Sequence, residues 1–233
     1  MKILSKIMNR FTLLILCAGF GKRMLDLTKN IPKPLLQIND QVLLGNSINF
    51  FCDIGCDEIF INTHYLHKQI ENYLNKNYSN YPIKLIYEPA ILGTGGAIKN
   101  SFNYTNRKNI CVVNSDIFWK KNNKQDITDF LKNTNDIHHC NILLSKTENF
   151  YGLKKNFGDF SLNDGIISNW QSGSDMMFYT GCQIVSKNIF ENTNMVFPIN
   201  LIWKKLIKLK KLHGKVINSD IFHIGDKKSF EDI

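Results

Sequence analysis

Residues 11–35 read Phe-Thr-Leu-Leu-Ile-Leu-Cys-Ala-Gly-Phe-Gly-Lys-Arg-Met-Leu-Asp-Leu-Thr-Lys-Asn-Ile-Pro-Lys-Pro-Leu, and this stretch decides the fold. Its apolar run at 13–18, bounded by glycine, is typical of a fully buried parallel strand. The Gly-Phe-Gly segment at 19–21 lets main-chain N–H groups come close to a ligand. Arg23 and Lys33 add two positive charges beside that backbone. Together these features predict a polyphosphate site.

Two other phosphate-binding loops resemble this segment but require residues that it lacks. A dinucleotide-binding fingerprint needs a third glycine where Met24 stands, followed at once by a helix. A Walker loop needs Gly-Lys-Ser/Thr after four intervening residues, and that sequence is absent here. A glycine turn with incidental surface cations is the remaining alternative.

The composition is that of an ordinary globular protein with an excess of positive charge. The 233 residues include 43% hydrophobic and 21% charged residues, and the formal net charge is +9. Nucleic acid or an anionic membrane could explain this charge. Solvated lysine runs together with a site for anionic substrates explain it as well, and no nucleic-acid-binding motif supports the first explanation. We therefore predict neither a nucleic-acid nor a membrane partner.

The six cysteines and the N-terminus bear on the compartment. The cysteines are scattered without a C-x-x-C pair, which favours buried free thiols in a reducing compartment and a cytoplasmic protein. The basic residues before Phe11 imitate a secretory signal, but the apolar run is short and no cleavage site follows it. We expect an N-terminal extension at residues 1–10 and a single domain at 11–233.

Strands alternate with helices along most of the chain, which predicts a doubly wound α/β sheet with ligands at the carboxyl ends of its strands. Strands are predicted at 35–38, 58–62, 83–87, 110–113 and 140–145, and helices at 44–54 and from 98 onward. Short antiparallel strands with an Asp-Gly turn are predicted at 158–167, another strand at 178–184, and an amphipathic helix at 199–213.

Three groups of residues at predicted strand ends are candidates for binding a ligand or a metal. The glycine-rich segment at 92–97 opens onto a helix, where close backbone approach and a helix N-terminus favour an anion or a carbonyl group. Asp116 follows a buried strand, and we predict that it is a Mg²⁺ ligand; an Asp that caps the next turn is the alternative. Asn62 and His64 also follow a strand, where capping and packing are common roles.

These motifs resemble the signature of the sugar-nucleotide pyrophosphorylases, Leu-x-Ala-Gly-x-Gly-x-Arg-Met followed by Pro-Lys-Pro-Leu. The resemblance runs from Leu13 to about Phe230 and is greatest to the short N-acetylmuramate α-1-phosphate uridylyltransferases. It also rests on Asn62-x-His64, Thr94-Gly95-Gly96, Asn114-Ser115-Asp116, Gly158-Asp159-Phe160 and the ending His223-Ile224-Gly225.

The resemblance implies a Rossmann-like, glycosyltransferase-A-like nucleotidyltransferase fold with a small antiparallel sugar-binding insertion. It implies catalytic roles for Arg23, Lys33 and Asp116. The implied nucleotide contacts are Ala18, Gly19, Gly21, Lys33, Asn62, Thr94, Gly95 and Gly96. The implied sugar contacts are Asn114, Gly158, Asp159, Thr180 and Gly181. Asp116 and His223 are the implied ligands of Mg²⁺ or Mn²⁺; many members have Asp where His223 stands.

The implied reaction is nucleotidyl transfer from an NTP to a sugar-1-phosphate, giving an NDP-sugar and pyrophosphate. UTP and N-acetylmuramate-1-phosphate are the expected substrates, with a role in peptidoglycan recycling. A mannose-1-phosphate guanylyltransferase and a glucose-1-phosphate thymidylyl- or uridylyltransferase are the enzymatic alternatives. A non-catalytic nucleotide-sensing domain is the alternative of another class. We expect a monomer or a homodimer.

Overall fold

The structure, a computed structural model, describes residues 10–132 and 139–232. The strands are β1 (Phe11–Leu16), β2 (Gln37–Ile38), β3 (Gln41–Val42), β4 (Cys56–Thr63), β5 (Ile83–Tyr87), β6 (Asn109–Asn114), β7 (Ile117–Phe118), β8 (Cys140–Ser145), β9 (Phe150–Tyr151), β10 (Phe160–Asn163), β11 (Ile166–Asn169), β12 (Phe178–Ser186), β13 (Leu212–Val216) and β14 (Ile221–His223). The α-helices are α1 (Leu43–Asp53), α2 (His67–Asn77), α3 (Gly93–Ser101), α4 (Asn123–Leu131), α5 (Asn200–Lys208) and α6 (Lys227–Glu231).

One nine-stranded sheet organises the described residues, in the order β10-β11-β13-β8-β12-β6-β1-β4-β5. Strands β6, β1, β4 and β5 run parallel to one another, and β12 runs antiparallel between β6 and β8. Two smaller sheets pair β7, β14 and β9, and β2 with β3. The mainly parallel α/β sheet is therefore confirmed.

Helices cover both faces of this sheet, as a doubly wound fold requires. Alternate residues of β1 divide between two buried clusters, with Leu13 and Ile15 in one and Leu14 in the other. Side chains of α1, α2 and α4 belong to the first cluster, and those of α3 and α5 belong to the second. Burial on both faces explains why β1 is apolar without interruption.

The helix predicted at 199–213 is wrong in its second half. Helix α5 ends at Lys208, and Lys210 takes a positive φ of 54°, which turns the chain. Leu212 then begins β13, which pairs parallel with β8, so its apolar side chain faces the core from a strand. Leu209, which the apolar spacing of the predicted helix would turn towards the core, is 54% exposed. Apolar spacing alone did not distinguish a longer helix from a helix followed by a strand.

Two further boundaries differ from the predictions. The glycines at 93–96 lie inside α3, whose first residue is Gly93, and not in a loop before it. The predicted strand at 35–38 is shorter, because residues 33–35 form a 3₁₀ turn before β2.

The predicted antiparallel segment is confirmed as the hairpin β10–β11, with Asp164 and Gly165 both at positive φ in its turn. This hairpin extends the edge of the main sheet.

Of the predicted N-terminal extension at 1–10, only Arg10 belongs to the described residues. The division into this extension and a single domain stays a prediction. In the ranges 10–132 and 139–232, the helices are too short or too polar to cross a membrane. All six cysteines lie in these ranges, and each is a free thiol, as predicted.

Candidate active site

A cleft of about 550 Å³ opens at the carboxyl ends of β1, β4, β5 and β6. The parallel register brings these ends to one edge of the sheet, with Leu16 of β1 opposite both Asn62 of β4 and Asn114 of β6. The segments that follow the strands therefore line a common space. This is where open α/β sheets bind ligands.

The loop after β1 forms one wall of the cleft. Gly21 has a φ of 66°, and a Cβ at this position would lie 3.2 Å from Cβ of Lys33, so the loop can approach the lysine only with glycine here. The carbonyl of Gly21 accepts hydrogen bonds from the main chain of Met24 (2.8 Å) and the hydroxyl of Thr28 (3.0 Å). These bonds hold Arg23 exposed at the cleft.

Lys33 projects into the cleft from a short, fixed turn. Pro32 and Pro34 flank it, and Leu35 donates a hydrogen bond to the carbonyl of Pro32 (2.8 Å). Proline fixes its own φ, so this turn needs little further ordering. Lys33 is only 9% exposed, and its Nζ lies 2.6 Å from Oδ2 of Asp116. The predicted pair of catalytic residues is therefore in direct contact.

A third group, His223, reaches the same carboxylate through the small sheet. Residue Ile117 of β7, immediately after Asp116, pairs with His223 of β14. This pairing places Nε2 of His223 3.4 Å from Oδ2 of Asp116. The imidazole also stacks on Phe150, with ring centroids 6.0 Å apart. Asp116 thus has two nitrogen partners from distant parts of the chain.

The ionisation of Asp116 results from opposing influences. Burial alone would raise the pKa of Asp116, but the charge of Lys33 and the contact with His223 outweigh it and hold the pKa well below its usual range. The carboxylate is therefore ionised at neutral pH. Its second oxygen, Oδ1, is buried and has no hydrogen-bond partner among the described residues.

This carboxylate fits a divalent cation that is shared with a substrate. No group of three or more His, Cys, Asp or Glu side chains in the described ranges could hold a metal alone. Oδ1 of Asp116 is an unpaired hard oxygen, and Nε2 of His223 lies 3.4 Å from the other carboxylate oxygen, Oδ2. Mg²⁺ commonly takes one or two protein ligands together with waters and substrate phosphates, so this small donor set suits it.

A buried hydrogen-bond relay forms the floor of the cleft. The amide oxygen of Asn62 accepts from the main chain of Cys17 (2.9 Å), and its nitrogen donates to Glu88 (2.8 Å). Glu88, which is 2% exposed, also accepts from the main chain of Leu92 (3.2 Å). The relay ties three strand ends to the start of α3. Sequence reasoning missed Glu88, although its place after β5 was a usable signal.

Cys17 lines the cleft but does not have the chemistry of a nucleophile. Burial raises the pKa of its thiol to about 12, against a weaker opposing hydrogen bond from Ser115. The thiol is therefore protonated at neutral pH, whereas attack on phosphorus or carbon requires the thiolate. The raised pKa of Cys17 therefore argues against covalent catalysis by this thiol.

The cleft gathers most of the residues predicted from the phosphate and nucleotide motifs. Its lining includes Ala18, Gly19, Gly21, Arg23, Lys33, Asn62, Thr94, Asn114 and Asp116. Sequence reasoning missed Cys17, Phe20, Glu88, Ile91, Ser115 and Gly225, which line it as well. Phe20, 42% exposed on the glycine loop after β1, packs edge-on against His64, with ring centroids 5.6 Å apart.

Gly95 and Gly96, predicted to contact the nucleotide, lie outside the cleft lining. Both main-chain N–H groups donate to the carbonyl of Phe197, at 3.0 and 3.1 Å. A Cβ on Gly95 would overlap the Phe197 ring, and a Cβ on Gly96 would overlap the carbonyl of Met195. In this structure the two glycines therefore pack α3 against a distant segment.

Four predicted sugar contacts are also outside the lining. Thr180 is buried and donates to the carbonyl of Leu143 (2.9 Å), while Gly181, with a φ of 84°, lets β12 pass close to Asn114. Asp159 accepts from the main chain of Tyr179 (3.2 Å) and pairs with a neighbouring lysine. Gly158 packs beneath the ring of Trp170. Of the predicted sugar contacts, Asn114 alone lines the cleft.

Comparison with known proteins agrees with this architecture. The sequence model of the family described as nucleotidyl transferase matches residues 12–158. One relative, a D-glycero-α-D-manno-heptose 1-phosphate guanylyltransferase of Aneurinibacillus thermoaerophilus, is 34% identical over 103 residues, 44% of this chain and 45% of its own. Another, an N-acetylmuramate α-1-phosphate uridylyltransferase of Neisseria meningitidis, is 36% identical over 107 residues, 45% of this chain and 46% of its own. The chain thus matches about half the length of these curated relatives.

Solved structures resemble the chain over nearly all of its length. HddC from Yersinia pseudotuberculosis, complexed with GMP-PN, superimposes with a TM-score of 0.76 at 23% identity, covering 95% of this chain and 97% of its own. A UDP-glucose pyrophosphorylase complexed with UDP-glucose gives 0.74 at 17% identity, covering 95% and 96%. At these identities the likeness concerns the fold, and it confirms the predicted nucleotidyltransferase-like fold.

Proposed function

Because this chain belongs to the nucleotidyl transferase family, we propose that it transfers a nucleotidyl group from an NTP to a sugar-1-phosphate. A phosphate oxygen of the sugar-1-phosphate attacks the α-phosphorus of the NTP in line. The bond between that phosphorus and the β-phosphate oxygen breaks, and pyrophosphate leaves. Every atom of both substrates is then accounted for in the NDP-sugar and pyrophosphate.

One observation carries this proposal: a glycine loop, two cations and an ionised carboxylate share a single cleft. Arg23 is exposed there, and Lys33 contacts Asp116 at 2.6 Å. Phosphoryl and nucleotidyl transfer depend mainly on positioning and on neutralising charge, since the protein need not form a covalent bond to the substrate. The protonated Cys17 agrees with direct, in-line transfer.

Each charged side chain has a role that follows from its position. Arg23, at the mouth of the cleft, would neutralise the leaving pyrophosphate. Lys33, deeper in the cleft, would neutralise the α-phosphate or the sugar phosphate. Asp116 and His223 would hold Mg²⁺ or Mn²⁺, which supplies positive charge to the phosphate oxygens when it is bound.

The remaining cleft residues position the nucleotide. The backbone at 18–21 would bind the phosphates, and Asn62 would orient the loop through its bond to Cys17. Thr94 and Asn114 line the cleft and would contact the nucleoside and the sugar. Six other predicted contacts lie outside the cleft lining and stay proposals for the ligand-bound protein; they are Gly95, Gly96, Gly158, Asp159, Thr180 and Gly181.

We propose the nucleobase of the NTP and the sugar of the sugar-1-phosphate from the sequence resemblance and from the relatives. UTP with N-acetylmuramate-1-phosphate, in peptidoglycan recycling in the cytoplasm, is the pair expected from the sequence. GTP with a heptose- or mannose-1-phosphate is the second candidate, because guanylyltransferases stand among the relatives. Two substrates and a cation suffice for this reaction, and a monomer or homodimer would support it.

Isotope exchange tests the proposal against a non-catalytic nucleotide sensor. Labelled pyrophosphate is incubated with the chain, Mg²⁺ and a panel of NDP-sugars, and label in the NTP is measured. Reversible nucleotidyl transfer predicts label in the NTP with at least one NDP-sugar and none with Asp116→Asn. A sensor would bind NTP in a calorimeter but leave the label in pyrophosphate with every NDP-sugar.

A further inference from the structure

The contact between Lys33 and Asp116 occupies the carboxylate that a divalent cation would use. We propose that Lys33 keeps Asp116 closed to divalent cations until the phosphates of a nucleotide take over the lysine. The inference rests on the proposed function, because the anion that releases Lys33 is the NTP. It makes Lys33 a gate for the cation in addition to a partner of phosphate.

The geometry at the carboxylate supports competition. Oδ2 of Asp116 contacts Nζ of Lys33 at 2.6 Å and Nε2 of His223 at 3.4 Å. Oδ1 is buried and unpaired among the described residues. A cation that ligates this carboxylate would stand beside an ammonium already in contact with it. Repulsion between like charges so close together, in a buried place, is large.

Burial prevents the lysine from simply moving into water. The side chain of Lys33 is 11% exposed and that of Asp116 is 16% exposed. If the ion pair opened alone, Lys33 would lose its anionic partner and Asp116 would keep only the imidazole of His223, in a poorly solvated place, which is strongly unfavourable. Lys33 therefore needs another anion before it releases Asp116.

Among the described residues that line the cleft, no second carboxylate is free to take the lysine. The lining carboxylates are Asp116 and Glu88. Glu88 already accepts hydrogen bonds from Asn62 and from the main chain of Leu92. A ligand phosphate beside the glycine loop is then the anion that can accept Lys33. The phosphate oxygens would also ligate the cation, in addition to Asp116 and His223.

Two consequences distinguish this gate from an ordinary metal site. The free chain should bind divalent cations weakly, and removing the charge of Lys33 should strengthen that binding. In a site without a gate, removing a lysine that helps to order the carboxylate should weaken cation binding or leave it unchanged.

The test is a titration of the nucleotide-free chain with Mn²⁺, with free Mn²⁺ read by electron paramagnetic resonance. The variants are Lys33→Met, which removes the charge at similar length, and Lys33→Gln, which keeps an N–H donor for Asp116. Lys22→Met is the matched control. Lys22 also lines the cleft, but its Nζ lies over the ring of Phe20, 5.3 Å from the ring centroid. Asp116→Asn measures binding elsewhere. Circular dichroism and thermal unfolding identify the variants that fold.

We expect each folded Lys33 variant to bind Mn²⁺ about tenfold more tightly than the wild type, or more, and Lys22→Met to change the affinity less than threefold. Unchanged or weaker binding in the folded Lys33 variants would overturn the gate. An equal gain in Lys22→Met would also overturn it, because general charge would then be the cause.

Isotope exchange by the wild type separates this inference from the proposed function. If exchange occurs while the Lys33 variants gain no affinity for Mn²⁺, the gate fails and the transferase stands. If no NDP-sugar supports exchange, the proposed function fails, whatever the titration gives.

Discussion

Nζ of Lys33 lies 2.6 Å from Oδ2 of Asp116, although the two residues are 83 positions apart in the chain. The lysine comes from the turn after the phosphate loop and the aspartate from the end of β6. Their contact brings the motif predicted to bind phosphate and the aspartate predicted to bind a metal into one cleft.

The two cleft cations should matter far more than cations elsewhere. We expect Arg23→Ala and Lys33→Ala each to lower kcat/KM by about 100-fold or more, because each faces charge that develops during transfer. The double variant Lys204→Ala/Lys205→Ala removes two exposed charges from α5 and should retain nearly full turnover. Steady-state pyrophosphate release measures all three. Similar losses at both places would mean that overall charge attracts the substrate.

His223 should set the preference for the cation. In His223→Asp, a second carboxylate beside Asp116 adds negative charge and hard oxygen, both of which favour Mg²⁺. We expect this variant to need less Mg²⁺ for half-maximal activity and to respond less to Mn²⁺ than the wild type. Activity titrations with each cation give the comparison. Identical titration curves for the two proteins would remove His223 from the set of metal ligands.

Substitution by alanine should impair activity at Gly19 and stability at Gly95. A Cβ on Gly19 meets no atom within 4 Å, so Gly19→Ala should leave the free energy of unfolding unchanged but obstruct phosphate, lowering kcat/KM about tenfold or more. A Cβ on Gly95 overlaps Phe197, so Gly95→Ala should lower the free energy of unfolding by about 1–3 kcal/mol. Urea unfolding and kinetics test both. A stable Gly95→Ala protein with impaired NTP binding would instead make Gly95 a ligand contact.

Asp226 should stabilise the C-terminal helix in a pH-dependent way. Hydrogen bonds from Lys154 and from the main chain of Ser229 lower the pKa of Asp226 to about 2. Because the pKa is depressed in the folded state, the stabilisation is present above the unfolded pKa of about 3.9 and is lost as the pH falls towards 2. Asp226→Ala removes the cap of α6 and should lower the free energy of unfolding by about 1 kcal/mol at pH 7.

The control for this cap is Asp232→Ala, at the other end of α6, which should change the free energy of unfolding by less than about 0.5 kcal/mol. The difference between wild type and Asp226→Ala should shrink between pH 4 and pH 2.5 in urea titrations. A difference that is constant over this range would show that ionised Asp226 is not the source of the stabilisation.

Sequence patterns were sufficient to predict the sheet and the part of the cleft formed by the glycine loop at 19–21. The buried runs at β1 and β6 indicated parallel strands, and parallel strands bring their carboxyl ends together. The proximity of Lys33 and Asp116 follows from that rule. The direct contact between Lys33 and Asp116 does not follow from this rule, because it also depends on the turn fixed by Pro32 and Pro34.

Features that depend on distant partners were beyond the sequence. The family resemblance implies nucleotide contacts for Gly95 and Gly96, but the group that comes close to them in this structure is the segment at 195–197. Leu212 has the spacing of a helix residue, yet its pairing with β8 makes it a strand residue. The position of Glu88 after β5 was a usable signal in the sequence, but its hydrogen bond to Asn62 depends on the neighbouring strand.

The most direct measurement is a pyrophosphate-release screen of ATP, CTP, GTP and UTP against a panel of sugar-1-phosphates with Mg²⁺. We expect release that requires both substrates, yields an equal amount of NDP-sugar, and is fastest with UTP and N-acetylmuramate-1-phosphate. Faster release with GTP and a heptose- or mannose-1-phosphate would correct the substrates and leave the chemistry in place. No release above the Asp116→Asn background with any pair would contradict the central claim that this cleft transfers nucleotidyl groups.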